Sequence, residues 1–417
     1  MTVISVSIEE IQAAAARLRE VASRTPLERS ERLSALVDAD IWLKREDLQA
    51  VRSYKLRGAY NFISSLSPAD RAHGVVCASA GNHAQGVAYT CRRLGVQGHV
   101  VVPRTTPRQK RQRIAALGGS QVTIVVEGHT YEEAAEVAVA VAAEAGSVLV
   151  PPFDHPAVIA GQGTVGLEVI EQLGRAPDLV IVPVGGGGLL AGVAVVGAAL
   201  APGQRTVGAE PTGAASMRAA LDAGEPVALG SIDTFVDGAA VTRVGAYTFE
   251  IVKALTHDVV AVPEGSVCTT MLELYQSDGI IAEPAGALAV SALANGVEIA
   301  KGTTVVCIVS GGNNDISRYG EIVERSLVHE GLKHYFLVEF PQEPGALRGF
   351  LDDVLGPSDD IVLFEYVKKN NRETGPALVG IEIAAPEDLA PLLERMKTSA
   401  LRIEPVPAGS PAFTFLV

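Results

Sequence analysis

The chain has 417 residues, 48% of them hydrophobic and 20% charged, which excludes global disorder and is more than one hydrophobic core usually organises. With 34 Lys+Arg against 48 Asp+Glu the net charge is −14, so no nucleic acid and no anionic membrane surface is expected as a partner. Cys77, Cys91, Cys268 and Cys307 form no CxxC pair, and the N-terminal MTVISVSIEEIQ lacks a basic segment followed by an apolar one. A reducing, cytoplasmic setting is therefore expected, with no disulfide framework, no metal site and no signal peptide.

In chain order, short β-branched runs alternate with longer Ala/Leu-rich helical patterns. The predicted strands are 41–44, 74–78, 99–102, 121–126, 179–184, 206–209, 259–262 and 304–310. The predicted helices are 82–94, 107–117, 131–144, 189–200 and 317–330. This alternation implies an α/β fold with mostly parallel sheets. Strands such as VVCAS and VVCIVS are apolar throughout, as expected where helices cover both faces. Residues 179–203 are uncharged and long enough to span a bilayer, but Pro183 and four consecutive glycines split them into a strand and a helix.

Near Gly331 the pattern changes. Residues 334–406 read as strand (HYFLVEFP), helix (GALRGFLDDVLG), strand (IVLFEYVKKN), strand (ALVGIEIAA), helix (PEDLAPLLERMKTSAL) and strand (RIEPV). That βαββαβ order is ferredoxin-like. The expected division is a first domain over 1–330 and a small α+β domain over 331–417.

Three glycine-bearing strand-to-helix junctions stand out: Ser79-Ala80-Gly81-Asn82-His83, Gly185-Gly186-Gly187-Gly188-Leu189 and Ser310-Gly311-Gly312-Asn313-Asn314. Ligands of open α/β sheets bind beyond the carboxyl ends of the strands, and helix N-termini present free N–H groups to anions. One glycine serves any tight turn; four in a row cost backbone entropy that a turn alone does not require. The tetraglycine run also matches G-x-G-x-x-A (Gly186, Gly188, Ala191), with Glu210 ending the next strand, so a nicotinamide-dependent enzyme is the alternative reading. Cys77 and Cys307 lie in apolar strands and read as inert core residues.

SYKLRGA (53–59), SAGNHAQG (79–86), GGGGL (185–189), DGAAV (237–241), EPAGA (283–287) and SGGNN (310–314) occur together and in this order. The combination resembles the serine/threonine dehydratase family of fold-type II pyridoxal-phosphate enzymes, over about residues 5–325. The C-terminal βαββαβ resembles the ACT-like regulatory domain of its biosynthetic, isoleucine-inhibited members. The resemblance implies two open α/β subdomains plus that domain. It also implies deamination of L-threonine to 2-oxobutanoate and ammonia, with lesser action on L-serine, as the first step of isoleucine biosynthesis.

The cofactor would be pyridoxal 5′-phosphate, bound through the Lys55 amine and acted on by it. Gly185, Gly186, Gly187, Gly188 and Leu189 would take the phosphate on backbone N–H groups, and the missing Cβ atoms would leave room for it. Asn82 would bond the ring 3′-oxygen and Ser310 the ring nitrogen. Ser79, Gly81, Asn82 and His83 would cradle the substrate carboxylate. Glu210 and Glu283 stay outside the catalytic set.

Three departures from the family pattern matter. Tyr54 stands where Phe is common, so its hydroxyl needs a partner. Ala80 stands where serine racemases carry a second serine, so lyase chemistry should dominate. The C-terminal region holds one ACT-like unit where some biosynthetic members have two, so the number of effector sites is left open. The resemblance implies isoleucine, the end product of the pathway, as effector, valine opposing it, near the turn Gln342–Leu347 with Gly345. A homo-oligomer, dimer or tetramer, is expected.

Overall fold

A computed structural model describes residues 6–368, 372–407, 410, 413 and 416. The chain divides into two units, 1–314 and 315–417. The first holds ten strands: β1 (Leu27–Arg29), β2 (Asp40–Arg45), β3 (Val75–Ala78), β4 (Gly98–Val102), β5 (Val122–Val126), β6 (Val148–Leu149), β7 (Leu179–Pro183), β8 (Arg205–Pro211), β9 (Asp258–Val262) and β10 (Thr304–Val309). They form a six-stranded sheet, β1-β2-β10-β7-β8-β9, and a four-stranded one, β5-β4-β3-β6. Every pairing is parallel except β1 with β2. The run TVVCIV of β10 is central and wholly buried, which is why it does not alternate.

The uncharged stretch at 179–203 is β7 followed by the helix Gly188–Leu200, and no described helix is long and apolar enough to cross a membrane. Several helices have no counterpart among the sequence expectations, among them Ile8–Leu18, Lys55–Ser65, Ala246–Leu255, Glu264–Asp278 and the long helix Pro156–Leu173. The last packs unusually closely against two others. A Cβ at Gly161 would meet the carbonyl oxygen of Arg57 at 2.6 Å, and one at Gly192 would meet the nitrogen of Gly163 at 2.5 Å. Its glycines are what let the helices Lys55–Ser65 and Gly188–Leu200 approach it.

The same three-way junction buries charge. Arg57 forks onto Glu46, Nε to Oε2 and Nη2 to Oε1, both at 2.8 Å, and its Nη1 donates to Glu168 Oε1 at 2.7 Å. Lys44 Nζ donates to Glu168 Oε2 at 2.6 Å and to the Thr25 carbonyl at 2.8 Å. Burial opposes the Glu46 charge, yet Arg57 and then Lys44 hold its carboxyl below the usual range. The cluster ties the Lys55 helix to β2 and to the helix Pro156–Leu173.

The second unit has β11 (Lys333–Pro341), β12 (Asp360–Tyr366), β13 (Thr374–Glu382) and β14 (Arg402–Pro405), in the antiparallel order β12-β13-β11-β14. With helices Ala346–Asp353 and Leu389–Thr398 this is the expected βαββαβ arrangement; the expected strand through Asn370 ends at Tyr366, and Lys369 and Asn370 lie outside the described residues. Phe336, Val338 and Phe340 of β11 face a core completed by Phe350, Val379, Ile381 and Leu392. The division at 314/315 falls ahead of the helix Tyr319–His329, whereas the pattern change placed it at 330/331. The reason is that Glu324 of this helix pairs with Lys333 and accepts from the Tyr335 hydroxyl, which fixes the helix to β11.

Arg57→Met leaves Glu46 buried without its fork and should cost about 3–5 kcal/mol of stability. Arg57→Lys should recover only part of it, because an ammonium cannot bridge two carboxylates with the same geometry. Urea denaturation of the three proteins checks this, and a loss below about 1 kcal/mol for Arg57→Met contradicts it.

Candidate active site

All three glycine junctions lie just beyond parallel strands: Ser79–His83 after β3, Gly185–Leu189 after β7 and Ser310–Asn314 after β10. Lys55 opens the helix Lys55–Ser65 and is brought to this end by backbone pairing. Ser53 bridges Gly311, the Tyr54 N–H donates to the Ser310 carbonyl at 3.1 Å, and the Gly312 N–H donates to the Arg52 carbonyl at 2.9 Å. Arg52 adopts φ 56°, a strained value for a non-glycine residue, so the turn into Lys55 is held by its surroundings.

The Lys55 Nζ donates to the Pro152 carbonyl at 2.9 Å, and burial lowers its pKa to about 8 against the pull of the Glu283 carboxylate. A fraction of this amine is therefore neutral near pH 7–8, as a nucleophile or base requires. The Tyr54 ring lies 5.5 Å from the same Nζ.

Among the described residues, the backbone N–H groups of Gly185 to Leu189 have no acceptor within the protein. Acceptor-free N–H groups leading into a helix N-terminus are the kind of donor set that can take an anion such as a phosphate. Protein packing on this loop gives its glycines a further reason to lack a Cβ. A Cβ at Gly186 would strike the Phe153 ring at 2.3 Å, one at Gly185 would meet Ala239 at 3.0 Å and one at Gly188 the Phe153 carbonyl at 3.1 Å. Packing against Phe153 requires Gly186 and leaves Gly185 and Gly188 in tight contact with backbone, while Gly187 adopts a φ of +91°. Gly81 is different: nothing lies within 4 Å of where its Cβ would be.

Asn82, His83 and Ala84 start a helix with free N–H groups, and the Ser79 hydroxyl accepts the Gly81 N–H at 3.2 Å. His83 Nε2 is 3.0 Å from the Val150 carbonyl. Burial and then the Lys55 charge push its pKa down to about 3, so it is neutral, donates to that carbonyl and carries no proton to give at pH 7. The Ser310 hydroxyl, 2% exposed, donates to the Ala285 carbonyl at 3.2 Å, a long bond that a stronger acceptor can displace.

Several residues were not placed in the site by the sequence. Glu283 accepts from Asn82 Nδ2 at 2.6 Å, and Asn313 Nδ2 donates to Asn82 Oδ1 at 2.7 Å, which fixes which way the Asn82 amide points. Burial and then Asp237 raise the Glu283 pKa to about 7. The segment Pro152–His155 carries no strand or helix pattern in the sequence. Yet it supplies the carbonyl for Lys55 and the ring against Gly186, and only the double proline PPF hinted at a fixed turn. Glu210 accepts the N–H groups of Met217 and Arg218 at 2.9 and 2.8 Å, so its carboxylate is occupied as a helix cap and is not free for a ribose. Burial raises the Cys77 and Cys307 thiols, which keeps both protonated.

The match to known families agrees with this chemistry. A family model described as pyridoxal-phosphate dependent enzyme matches residues 18–311, and one described as the C-terminal regulatory domain of threonine dehydratase matches 324–416. The chain is 58% identical over 416 residues to the L-threonine dehydratase biosynthetic IlvA of Mycobacterium tuberculosis, covering 99% of this chain and 96% of that one. It is 47% identical over 412 residues to the Bacillus subtilis protein of the same name, covering 99% and 98%. Among solved structures it is similar to the processed threonine deaminase isoform 2 of Solanum lycopersicum, with TM-score 0.71 and 40% identity over 77% of this chain and 94% of that one. Maize serine racemase gives TM-score 0.72 and 33% identity over 78% and 99%. These findings overturn the nicotinamide alternative.

The Lys55 amine sets a pH signature in the cofactor-free protein. Below about pH 8 both folded and unfolded chains carry the ammonium, and the folded one bears the cost of burying it. Between about 8 and the ordinary 10.5 the unfolded chain keeps a proton that the folded one has released, so this group's contribution to stability rises with pH. Lys55→Met should therefore be more stable than the parent at pH 7, by a margin that shrinks towards pH 10. Urea titrations of both apo-proteins at the two pH values check it, and a margin that grows with pH contradicts it.

Proposed function

The chain belongs to the threonine dehydratases within the pyridoxal-phosphate dependent enzymes, and on that premise we propose that it deaminates L-threonine to 2-oxobutanoate and ammonia. The observation that carries the reading is a lysine amine of lowered pKa at the same end of the unit as five consecutive acceptor-free N–H groups. Pyridoxal phosphate, when bound, supplies an aldehyde for amines and a ring that withdraws electrons from the substrate Cα.

Lys55 would supply the amine for the cofactor's aldehyde and would serve as the base for the Cα proton. Gly185 to Leu189 would hold the phosphate. Asn82, its amide direction fixed by Glu283 and Asn313, would bond the ring oxygen. Ser310 would offer the ring nitrogen a neutral hydroxyl, which would favour loss of the β-hydroxyl over transamination. The N–H groups after Gly81, with Ser79, receive the substrate carboxylate. His83, neutral and committed to Val150, holds this turn in place. With Ala80 in the racemase serine's position, no hydroxyl is offered there for proton return. L-serine should react too, since one methyl group is worth only about 1–3 kcal/mol of discrimination.

The second unit serves regulation in this reading. Isoleucine binds near the turn 342–347, where Gly345, at φ +97°, precedes the helix Ala346–Asp353, and valine opposes it. β12 and β14 are the sheet edges of this unit, and pairing of such edges between copies would give a dimer or tetramer. Four buried free cysteines suit the reducing cytoplasm.

Two measurements test the reading. Lys55→Ala should lose the visible absorbance of bound cofactor and lower 2-oxobutanoate formation by several orders of magnitude; near-normal turnover overturns the assignment. In the intact protein isoleucine should shift the threonine saturation curve with a coupling of about 1–3 kcal/mol. Gly345→Val should weaken that response about tenfold while leaving turnover without isoleucine unchanged. A parent protein indifferent to millimolar isoleucine refutes the regulatory part alone.

A further inference from the structure

The Gly186 carbonyl accepts from the Thr248 hydroxyl at 2.7 Å. Thr248 is fully buried in the first turn of the helix Ala246–Leu255. Its hydroxyl also lies 3.1 Å from the Gly245 carbonyl, but it has one proton, and Gly186 is the nearer acceptor. A trans peptide is planar, so fixing the Gly186 carbonyl fixes the opposed N–H of Gly187, in the middle of the cradle. A Cβ on Gly187 would lie 3.0 Å from Thr248 Cβ, so the two residues are in close contact.

Thr248 is itself held. Its N–H donates to Asp154 Oδ1 at 3.1 Å, and the Ala246 N–H donates to Asp154 Oδ2 at 2.9 Å. Asp154 follows Phe153, whose ring abuts Gly186, and Pro152, whose carbonyl receives Lys55. One short segment thus braces the lysine and, through Thr248, the loop that meets the anion.

We propose that Thr248, anchored by Asp154, is a positioning residue for the anion cradle, its hydroxyl setting the Gly186–Gly187 peptide plane and through it the affinity for the cofactor phosphate. This rests on the reading that Gly185 to Leu189 hold that phosphate. The alternative role is a purely local helix bond to Gly245, which would serve folding and not phosphate.

The two roles separate when the full-length apo-protein is titrated with pyridoxal phosphate and, separately, with pyridoxal, which has the aldehyde but no phosphate. Thr248→Val should weaken pyridoxal phosphate about 10–100-fold, as loss of a group that orients a direct ligand contact commonly does, and change pyridoxal by less than about twofold. Thr248→Ser, which keeps the hydroxyl, should return the phosphate preference to within about threefold of the parent. Asp154→Asn, which keeps the shape but weakens the anchor, should move the preference in the same direction and gives a second arm if Thr248→Val does not fold. Equal weakening of both aldehydes, or no weakening of either, in these variants overturns the proposal. A parent that binds pyridoxal phosphate no better than pyridoxal overturns the cradle reading itself.

Discussion

Everything at the candidate site depends on holding one primary amine where water reaches it poorly. Burial lowers the Lys55 pKa to about 8, and that shift survives only while the surrounding loops stay closed on the amine. They are closed by main-chain bonds more than by side chains. Residues 52–54 pair with 310–312, and the Glu283 N–H donates to the Gly311 carbonyl at 3.1 Å. A Cβ on Gly311 would lie 2.2 Å from Glu283 Oε1, so any larger residue there would displace the Glu283 carboxylate from Asn82. Loops from β2, β10 and the segment before Pro284 are therefore tied to one another, and the lysine is placed by that tie.

The buried ion cluster acts one layer further out. Arg57 sits two residues after Lys55 on the same helix, and its fork onto Glu46 fixes that helix to the strand end from which residues 46–54 depart. A buried ion pair contributes little net stability compared with well-packed apolar residues. Its value here is geometric, since the guanidinium accepts few alternative arrangements and so specifies one register for the helix start.

Local pattern carried much of the fold. Apolar β-branched runs marked β3, β7 and β10, and the helix Asn82–Leu94 was legible to the residue from its Gly81 start and Gly95 stop. The helix Pro156–Leu173 was not, because Gly161, Gly163 and Gly166 read as breakers when each position is judged alone. Their purpose is close helix approach, which only the neighbouring helices reveal. The site divided the same way. Glycine junctions announced themselves, and the role of Lys55 came from the resemblance carried by six motifs together. Pro152 and Thr248 were silent, since a backbone carbonyl and a helical threonine have no sequence signature for what they hold.

The tetraglycine loop shows why that distinction matters for mechanism. From sequence, four missing Cβ atoms look like space left for a phosphate. In the fold, three of the four absent Cβ atoms would run into Phe153 or Ala239, so the glycines admit the protein to the back of the loop. The consequence for the front is indirect but strong. A loop packed against an aromatic ring, with one carbonyl tied to a buried hydroxyl, has few ways to turn its peptides, which on the proposed reading keeps its N–H groups arranged for an anion. Gly81 is the contrasting case, where the space belongs to no protein atom. A substitution in the first loop disturbs packing before it touches a ligand. At Gly81 the order is reversed, and the added atom meets whatever occupies the open ground beside the helix start.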